Sequence, residues 1–177
     1  AFKKKTKIIP LDSEHNAIFQ ILQNHNKESI KNIILTASGG PFWKKDLNQL
    51  NKVSVKDALR HPNWNMGKKI TIDSATLINK LLEVIEASIL FDLSLDSIQV
   101  LIHPTSLVHG IVNFIDGSSQ IVASNPDMKV SIGFALNWPN RFSTGVNNIN
   151  FNNIKELRFY RPNLRKFPSL ALKNYLE

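Results

Sequence analysis

The sequence predicts an α+β domain: a mixed β-sheet with helices packed mainly on one face. Three observations carry that expectation. The first half alternates short apolar runs of strand length with segments of helical period. The second half holds three β-like runs, two of them joined by Asp116-Gly117, a strong hairpin signal. A hydrophobic fraction of 42% over 177 residues suffices for one core.

Residues 7–10, Lys-Ile-Ile-Pro, read as a short strand stopped by proline. Asp12 and Ser13 then supply an N-cap for a helix over 14–23, with Ile18, Ile21 and Leu22 on its apolar face. Residues 31–37 form a buried strand that runs into the tight turn Ser38-Gly39-Gly40-Pro41. A short helix over 55–60 precedes a loop, 61–67, broken by proline and glycine. Residues 70–72, Ile-Thr-Ile, read as a strand. Ser74 then caps the longest helix, 75–91, in which Leu77, Ile78, Leu81, Leu82, Ile85 and Ile89 recur at helical spacing. Strands are expected over 97–102, 110–115 and 119–123, and a helix over 128–137 ending at Trp138-Pro139. Residues 142–154 are an Asn-rich loop, 156–159 a last strand, and 169–177 the amphipathic start of a helix. The chain opens on a basic, linker-like stretch, so both ends read as cuts through a longer polypeptide.

The net charge of +8 suits a nucleic acid, a membrane surface or an anionic small substrate. The only dense basic run is Lys3-Lys4-Lys5; Lys44–Lys45 and Lys68–Lys69 are isolated pairs, and the aromatics do not interleave with them as a stacking platform would. No nucleic-acid partner is expected. No apolar run approaches the roughly 18–20 residues of a membrane span, and the basic residues 2–9 make no signal peptide, so no membrane partner is expected either. The absence of cysteine rules out disulfides, thiolate metal sites and a cysteine nucleophile, and fits a reducing compartment.

Asp12 and Glu14 sit just past a strand end, two residues apart, where both carboxylates can face one oxygen-loving ion such as Mg²⁺ or Mn²⁺. The same pair also suits a plain helix N-terminus. Asn79 and Glu83 stack at i, i+4 on a helix apolar over much of its circumference, with Lys80 beside them. They are either buried and paired or a polar stripe at the surface. Ser38-Gly39-Gly40 can bring backbone N–H groups close to an anion. Ser74, at a helix start, can do likewise. Ser38, Ser74, Asn79 and Lys80 could thus converge on one phosphate, although Gly-Gly-Pro is often only a turn. Trp64 and Met66, in a polar, Gly-flanked loop, read as a lid over a ligand or as side chains tucked into the core.

As an ordered set these segments carry a family resemblance. Asp-Ser-Glu-His-Asn at 12–16, Thr-Ala-Ser-Gly-Gly-Pro-Phe at 36–42, His-Pro-Asn-Trp-Asn-Met-Gly at 61–67, Ile-Asp-Ser-Ala-Thr at 72–76 and Asn-Lys-Leu-Leu-Glu-Val-Ile-Glu-Ala at 79–87 are followed by Ile-His-Pro at 102–104, Pro-Asp-Met at 126–128 and Trp-Pro-Asn-Arg at 138–141. Together they resemble the 1-deoxy-D-xylulose 5-phosphate reductoisomerases, from about Ile8 onward. The resemblance implies conversion of 1-deoxy-D-xylulose 5-phosphate to 2-C-methyl-D-erythritol 4-phosphate in non-mevalonate isoprenoid synthesis. NADPH and Mg²⁺ or Mn²⁺ (or Co²⁺) serve that reaction. It implies Asp12, Glu14 and Glu83 as metal ligands. Ser13, Glu14, Ser38, His61, Trp64, Ser74, Asn79, Lys80 and Glu83 would meet the phosphorylated sugar, with Glu14, Lys80 and Glu83 taking part in catalysis. Trp64 and Met66 would form the lid, and Gly67 would lie toward the nicotinamide.

The resemblance further implies that 1–160 is the catalytic domain, that 161–177 is a linker into a C-terminal helical domain, and that NADPH is bound mainly by another domain. The chain alone is then expected to be inactive. A homodimer is implied, with the β-rich second half as the expected contact, in a bacterial cytoplasm or, alternatively, a plastid. Three features depart from the family pattern. Leu81 stands where the family has a glycine, an addition that costs about 1–3 kcal/mol if no neighbour yields. Lys129-Val130-Ser131 replaces a basic-Thr-Pro pattern. No Gly-x-Gly-x-x-Gly fingerprint occurs. A non-catalytic dimerisation or binding module that keeps the fold is the competing function; a basic nucleic-acid binder is the third.

Overall fold

A computed structural model describes residues 6–64 and 67–175. Helix α1 (Ser13–Leu22) leads to β1 (Ile30–Ala37). Four helices follow: α2 (Leu47–Leu50), α3 (Val55–Ala58), α4 (Lys68–Ala75) and α5 (Ile78–Phe91). Strands β2 (Ile98–Ile102), β3 (Val108–Phe114) and β4 (Ser119–Ala123) precede α6 (Met128–Asn137). The sheet order is β2-β1-β3-β4, with β1 and β2 parallel and the other two pairings antiparallel, so the sheet is mixed.

Strand β1 is central, and its alternation sets the two faces. Ile33 and Leu35 turn toward α1 and α5 and pack with Ile18, Ile21, Val84, Ala87, Ile98 and Val112 in the main core. Ile34 turns the other way, to Val108 and Ile111, where Leu101 and Phe159 cover a smaller cluster. A third cluster joins Ala37, Leu77, Leu81 and Ile102 to Phe167 and Leu170 of the C-terminal segment. Leu81 is thus a buried contact between α5 and that segment, 7% exposed, and its bulk is accommodated there. Among the described residues no helix is long and apolar enough to cross a membrane.

Several elements differ from the sequence reading. Residues 7–10 form no strand; the Pro10 carbonyl instead accepts from Asn16 Nδ2 at 2.8 Å. Residues 70–72 are helical, because Gly67 caps α4 and the Thr71 N–H closes a turn back to its carbonyl at 3.1 Å. Local β-propensity loses to tertiary packing here. Ser74 therefore lies in the last turn of α4 and does not cap the longest helix. That role falls to Leu77, held left-handed at φ +56°, and α5 begins at Ile78. Residues 156–159 make no strand; one bridge joins Ile102 to Tyr160. The segment Pro168–Tyr175 is a run of 3₁₀ turns. The basic run Lys3-Lys4-Lys5 lies outside the described residues.

Candidate functional site

The start of α1 and the first two turns of α5 face each other across a cavity of about 320 Å³. Asp12 caps α1, its Oδ1 accepting from the Glu14 N–H at 3.0 Å and the His15 N–H at 3.1 Å. The cap fixes where Glu14 points. Across the cavity, Lys80 and Glu83 are 4% and 3% exposed, so they are not a surface stripe. The Lys80 ammonium donates to Glu14 Oε1 at 2.7 Å and to Glu83 Oε2 at 2.5 Å. Asn79 Nδ2 donates to the other Glu83 oxygen at 2.5 Å. Ser13 Oγ also donates to Glu14.

Carboxylate oxygens of Asp12, Glu14 and Glu83 all lie within 4.8 Å of one another. Such crowding acts on the three acids differently. Burial raises Asp12, and Glu14 beside it adds to the rise. Burial also raises Glu83, well above the ordinary glutamate value and against the pull of Lys80. Burial pushes Glu14 the same way, but there the Lys80 charge and hydrogen bond win and bring it to about 2. Lys80 is raised despite burial, because Glu14, Glu83 and Asp12 surround it. With all three acids ionised, one ammonium leaves two negative charges uncompensated, the charge of one divalent cation. The donor set is all oxygen, as Mg²⁺ and Mn²⁺ prefer. These residues fit such an ion.

A second group of polar atoms lines the other end of the cavity. Ser38, at the end of β1, and Ser74, in α4, both face it. Their backbones are in contact through Gly40, which sits at φ +65°; a Cβ there would come 2.8 Å from the Ser74 carbonyl oxygen. His61 Nδ1 accepts from the N–H groups of Asn63 at 3.2 Å and Trp64 at 2.9 Å. Its neutral ring therefore carries the proton on Nε2, which donates to Ser38 Oγ at 2.9 Å. Burial lowers the pKa of His61 and so favours this neutral form. Ser38 Oγ also accepts from the Gly40 N–H at 3.2 Å, which leaves its own proton to donate into the cavity.

Trp64 lines the cavity and is not in the core. Met66 lies outside the described residues. Gly67 caps α4 away from the cavity lining, with nothing within 4 Å of where a Cβ would stand. Three polar residues that sequence reasoning missed also line the cavity: Thr36, Ser106 and His109. His109 is 6% exposed and bonds Ser124 Oγ at 2.8 Å; burial lowers its pKa. The strand expected over 110–115 began one residue after it, and nothing local marked which face the histidine takes. His15, also missed, is 2% exposed and donates from Nε2 to the Glu83 carbonyl oxygen at 2.8 Å, tying α1 to α5. His103 lies behind the cavity, stacked on Phe159 and bonded to the Arg158 carbonyl at 2.8 Å.

Fold and site together define an α+β domain that sets a carboxylate trio and a glycine-built, serine-lined wall around one cavity. Residues 8–91, which hold every residue of both groups, match the family described as 1-deoxy-D-xylulose 5-phosphate reductoisomerase C-terminal domain, and residues 123–176 match the DXP reductoisomerase C-terminal domain. The chain belongs to the 1-deoxy-D-xylulose 5-phosphate reductoisomerase family. It is 51% identical to the enzyme of that name from Endomicrobium trichonymphae over 95% of this chain and 43% of the relative. It is 53% identical to the one from a Sulfurihydrogenibium species, over 96% of this chain and 45% of the relative. Among solved structures, a DOX-P reductoisomerase in complex with NADPH, fosmidomycin and magnesium superposes with a TM-score of 0.91 at 45% identity, covering 99% of this chain and 45% of that one. The Zymomonas mobilis enzyme in complex with NADPH gives 0.89 at 41% identity, covering 97% of this chain and 44% of that one. The chain thus spans somewhat under half the length of these relatives.

Proposed function

We propose that this chain forms the metal- and substrate-binding part of an enzyme converting 1-deoxy-D-xylulose 5-phosphate to 2-C-methyl-D-erythritol 4-phosphate. One observation carries the reading. One cavity is lined both by the hydroxyls of Ser38 and Ser74 and by the carboxylates of Asp12, Glu14 and Glu83, while Asn79 and Lys80, expected with the serines, are bonded to the carboxylates instead. A sugar phosphate has the same two-ended chemistry, an anion at one end and chelating oxygens at the other.

Asp12, Glu14 and Glu83 would hold Mg²⁺ or Mn²⁺. Bound there, the ion supplies Lewis acidity and a template for the sugar's carbonyl and hydroxyl oxygens during carbon-skeleton rearrangement. The chain's own groups bind and orient. Ser38 and Ser74 donate to the phosphate, and α5 presents its N-terminal end to it. That grip supplies remote binding energy and fixes the sugar relative to the carboxylates. Lys80 bridges Glu14 and Glu83 at fixed distances, and Trp64 forms part of the cavity wall. For NADPH the residues fit poorly: no Gly-x-Gly-x-x-Gly occurs, and Gly67 stands clear of the cavity. We assign this chain no step in hydride delivery. A homodimer formed through the β-rich half is part of the proposal; β4 is an edge strand, and Ile121 on it is 49% exposed.

Titration calorimetry tests the reading directly. 1-Deoxy-D-xylulose 5-phosphate should bind the chain, at least about tenfold more tightly with Mg²⁺ present, and Ser38→Ala should weaken it. Affinity indifferent to both Mg²⁺ and Ser38→Ala would overturn the assignment. No NADPH oxidation is expected from these 177 residues alone.

A further inference from the structure

The two walls of the phosphate cradle are both poorly self-supporting. One is the turn Ser38-Gly39-Gly40, which has no regular structure to hold it. The other is the junction between α4 and α5, where Leu77 is held at φ +56°. A branched residue in the left-handed region costs roughly 1–2 kcal/mol and persists only where its surroundings over-determine it. The junction also leaves carbonyls at the end of α4 without helical partners.

A single stretch of the C-terminal segment meets both walls. Ser169 Oγ donates to the Thr76 carbonyl at 2.8 Å, one residue before the left-handed Leu77. Phe167 and Leu170 pack on Leu77 and Leu81, with Leu77 itself 2% exposed. Three residues before Ser169, the Lys166 ammonium donates to the Trp43 carbonyl at 2.8 Å. The Trp43 side chain lies so close over Gly39 that a Cβ there would meet it at 2.7 Å. Lys166 therefore holds the residue that packs on the first wall, and Ser169 holds the backbone of the second. Neither side chain lines the cavity.

We infer that Lys166 and Ser169 are positioning residues for phosphate binding, clamping the Ser38–Gly40 turn and the α4–α5 junction into one cradle. The inference rests on the phosphate reading above and deepens it. Such a clamp acts on the phosphate end and leaves the carboxylate trio alone, since His15 and Lys80 hold that end independently. Losing one hydrogen bond of the clamp lets one wall relax, which weakens anion binding without unfolding the domain.

The test measures two ligands on the same protein, inorganic phosphate and Mn²⁺. Ser169→Ala and Lys166→Met should each raise the phosphate Kd about 3- to 10-fold, with the Mn²⁺ Kd within about twofold of the parent. Ser169→Thr, which keeps the hydroxyl, should restore phosphate binding. Retained Mn²⁺ binding shows that each variant is folded. The clamp is wrong if both variants bind phosphate as the parent does. It is equally wrong if phosphate and Mn²⁺ weaken by the same factor, since the segment would then be a general support. A parent that binds no phosphate, or whose binding ignores Ser38→Ala, fails the phosphate reading itself.

Discussion

The two ends of the cavity are built on opposite plans. At the carboxylate end, functional side chains project from two regular helices and are locked to each other: Lys80 to Glu14 and Glu83, Asn79 to Glu83, and His15 to the Glu83 carbonyl. At the end proposed for phosphate, much of the wall is backbone: a glycine turn and a left-handed junction, bonded by His61, Lys166 and Ser169 from elsewhere in the chain. The first plan concentrates charge on mutually bonded, largely buried side chains and makes each partner costly to remove. The second spreads support over many weak contacts, so that each loss is small.

The steepest test of this contrast is Lys80→Met. It leaves Glu14 and Glu83 buried without a cation, and loss of about 3–5 kcal/mol of stability is expected in denaturant unfolding. Added Mn²⁺ should return much of that loss. A variant as stable as the parent without metal would mean that the ammonium is not what reconciles the acids. Next is Glu83→Gln, which keeps the shape and removes one charge from the trio. Titration calorimetry should show Mn²⁺ binding weakened by at least about 100-fold, since even groups that only orient ligands cost 10–100-fold. At the phosphate end, Ser74→Ala should raise the inorganic phosphate Kd only about tenfold and spare Mn²⁺. Equal effects of Glu83→Gln and Ser74→Ala on both ligands would erase the distinction between the ends.

The smallest effects are those of pH, and they carry opposite signs. Glu83 is raised in the folded chain, so its contribution is most favourable below the ordinary glutamate pKa and is lost as pH rises through the raised value. Mn²⁺ competes with that proton, so the rise in Tm on adding Mn²⁺ should grow with pH. His61 is lowered, so its contribution is complete above its ordinary value of 6.5 and is lost as pH falls through the lowered one. His61→Asn should flatten the acid side of the stability curve measured without metal. A Tm gain from Mn²⁺ that shrinks with pH would contradict the trio as its site.

The contrast also explains what was legible in the sequence. Side-chain chemistry on regular elements shows itself through spacing: Asp12 and Glu14 at a helix start, Asn79 and Glu83 one turn apart. Strands β2 to β4 and helix α6 were legible for the same reason, since β-rich runs and the Asp116-Gly117 turn are local signals, whereas the strand expected over 156–159 is a single bridge at Tyr160. What could not be read was backbone held by distant residues. Ile70-Thr71-Ile72 has the composition of a strand, yet Gly67 starts a helix through it. Leucine gives no hint of a left-handed conformation, so the end of α4 and start of α5 at Leu77 went unseen and Ser74 was misplaced by one element. His15 and His109 carry no pattern, because their roles depend on which strand or helix packs opposite them. Lys166 and Ser169 lie in an irregular segment whose partners are 123 and 93 residues away.

Gly40 touches the Ser74 backbone directly, main chain on main chain, with no room for even a methyl group. A boundary of that kind has no side chain to trim. Substitutions can loosen the cradle or spoil its donors, but none can enlarge it by cutting away bulk at this wall. Widening the pocket at this wall would therefore require a change of loop length between Ala37 and Phe42, and selection acting one residue at a time would find no gradual path there.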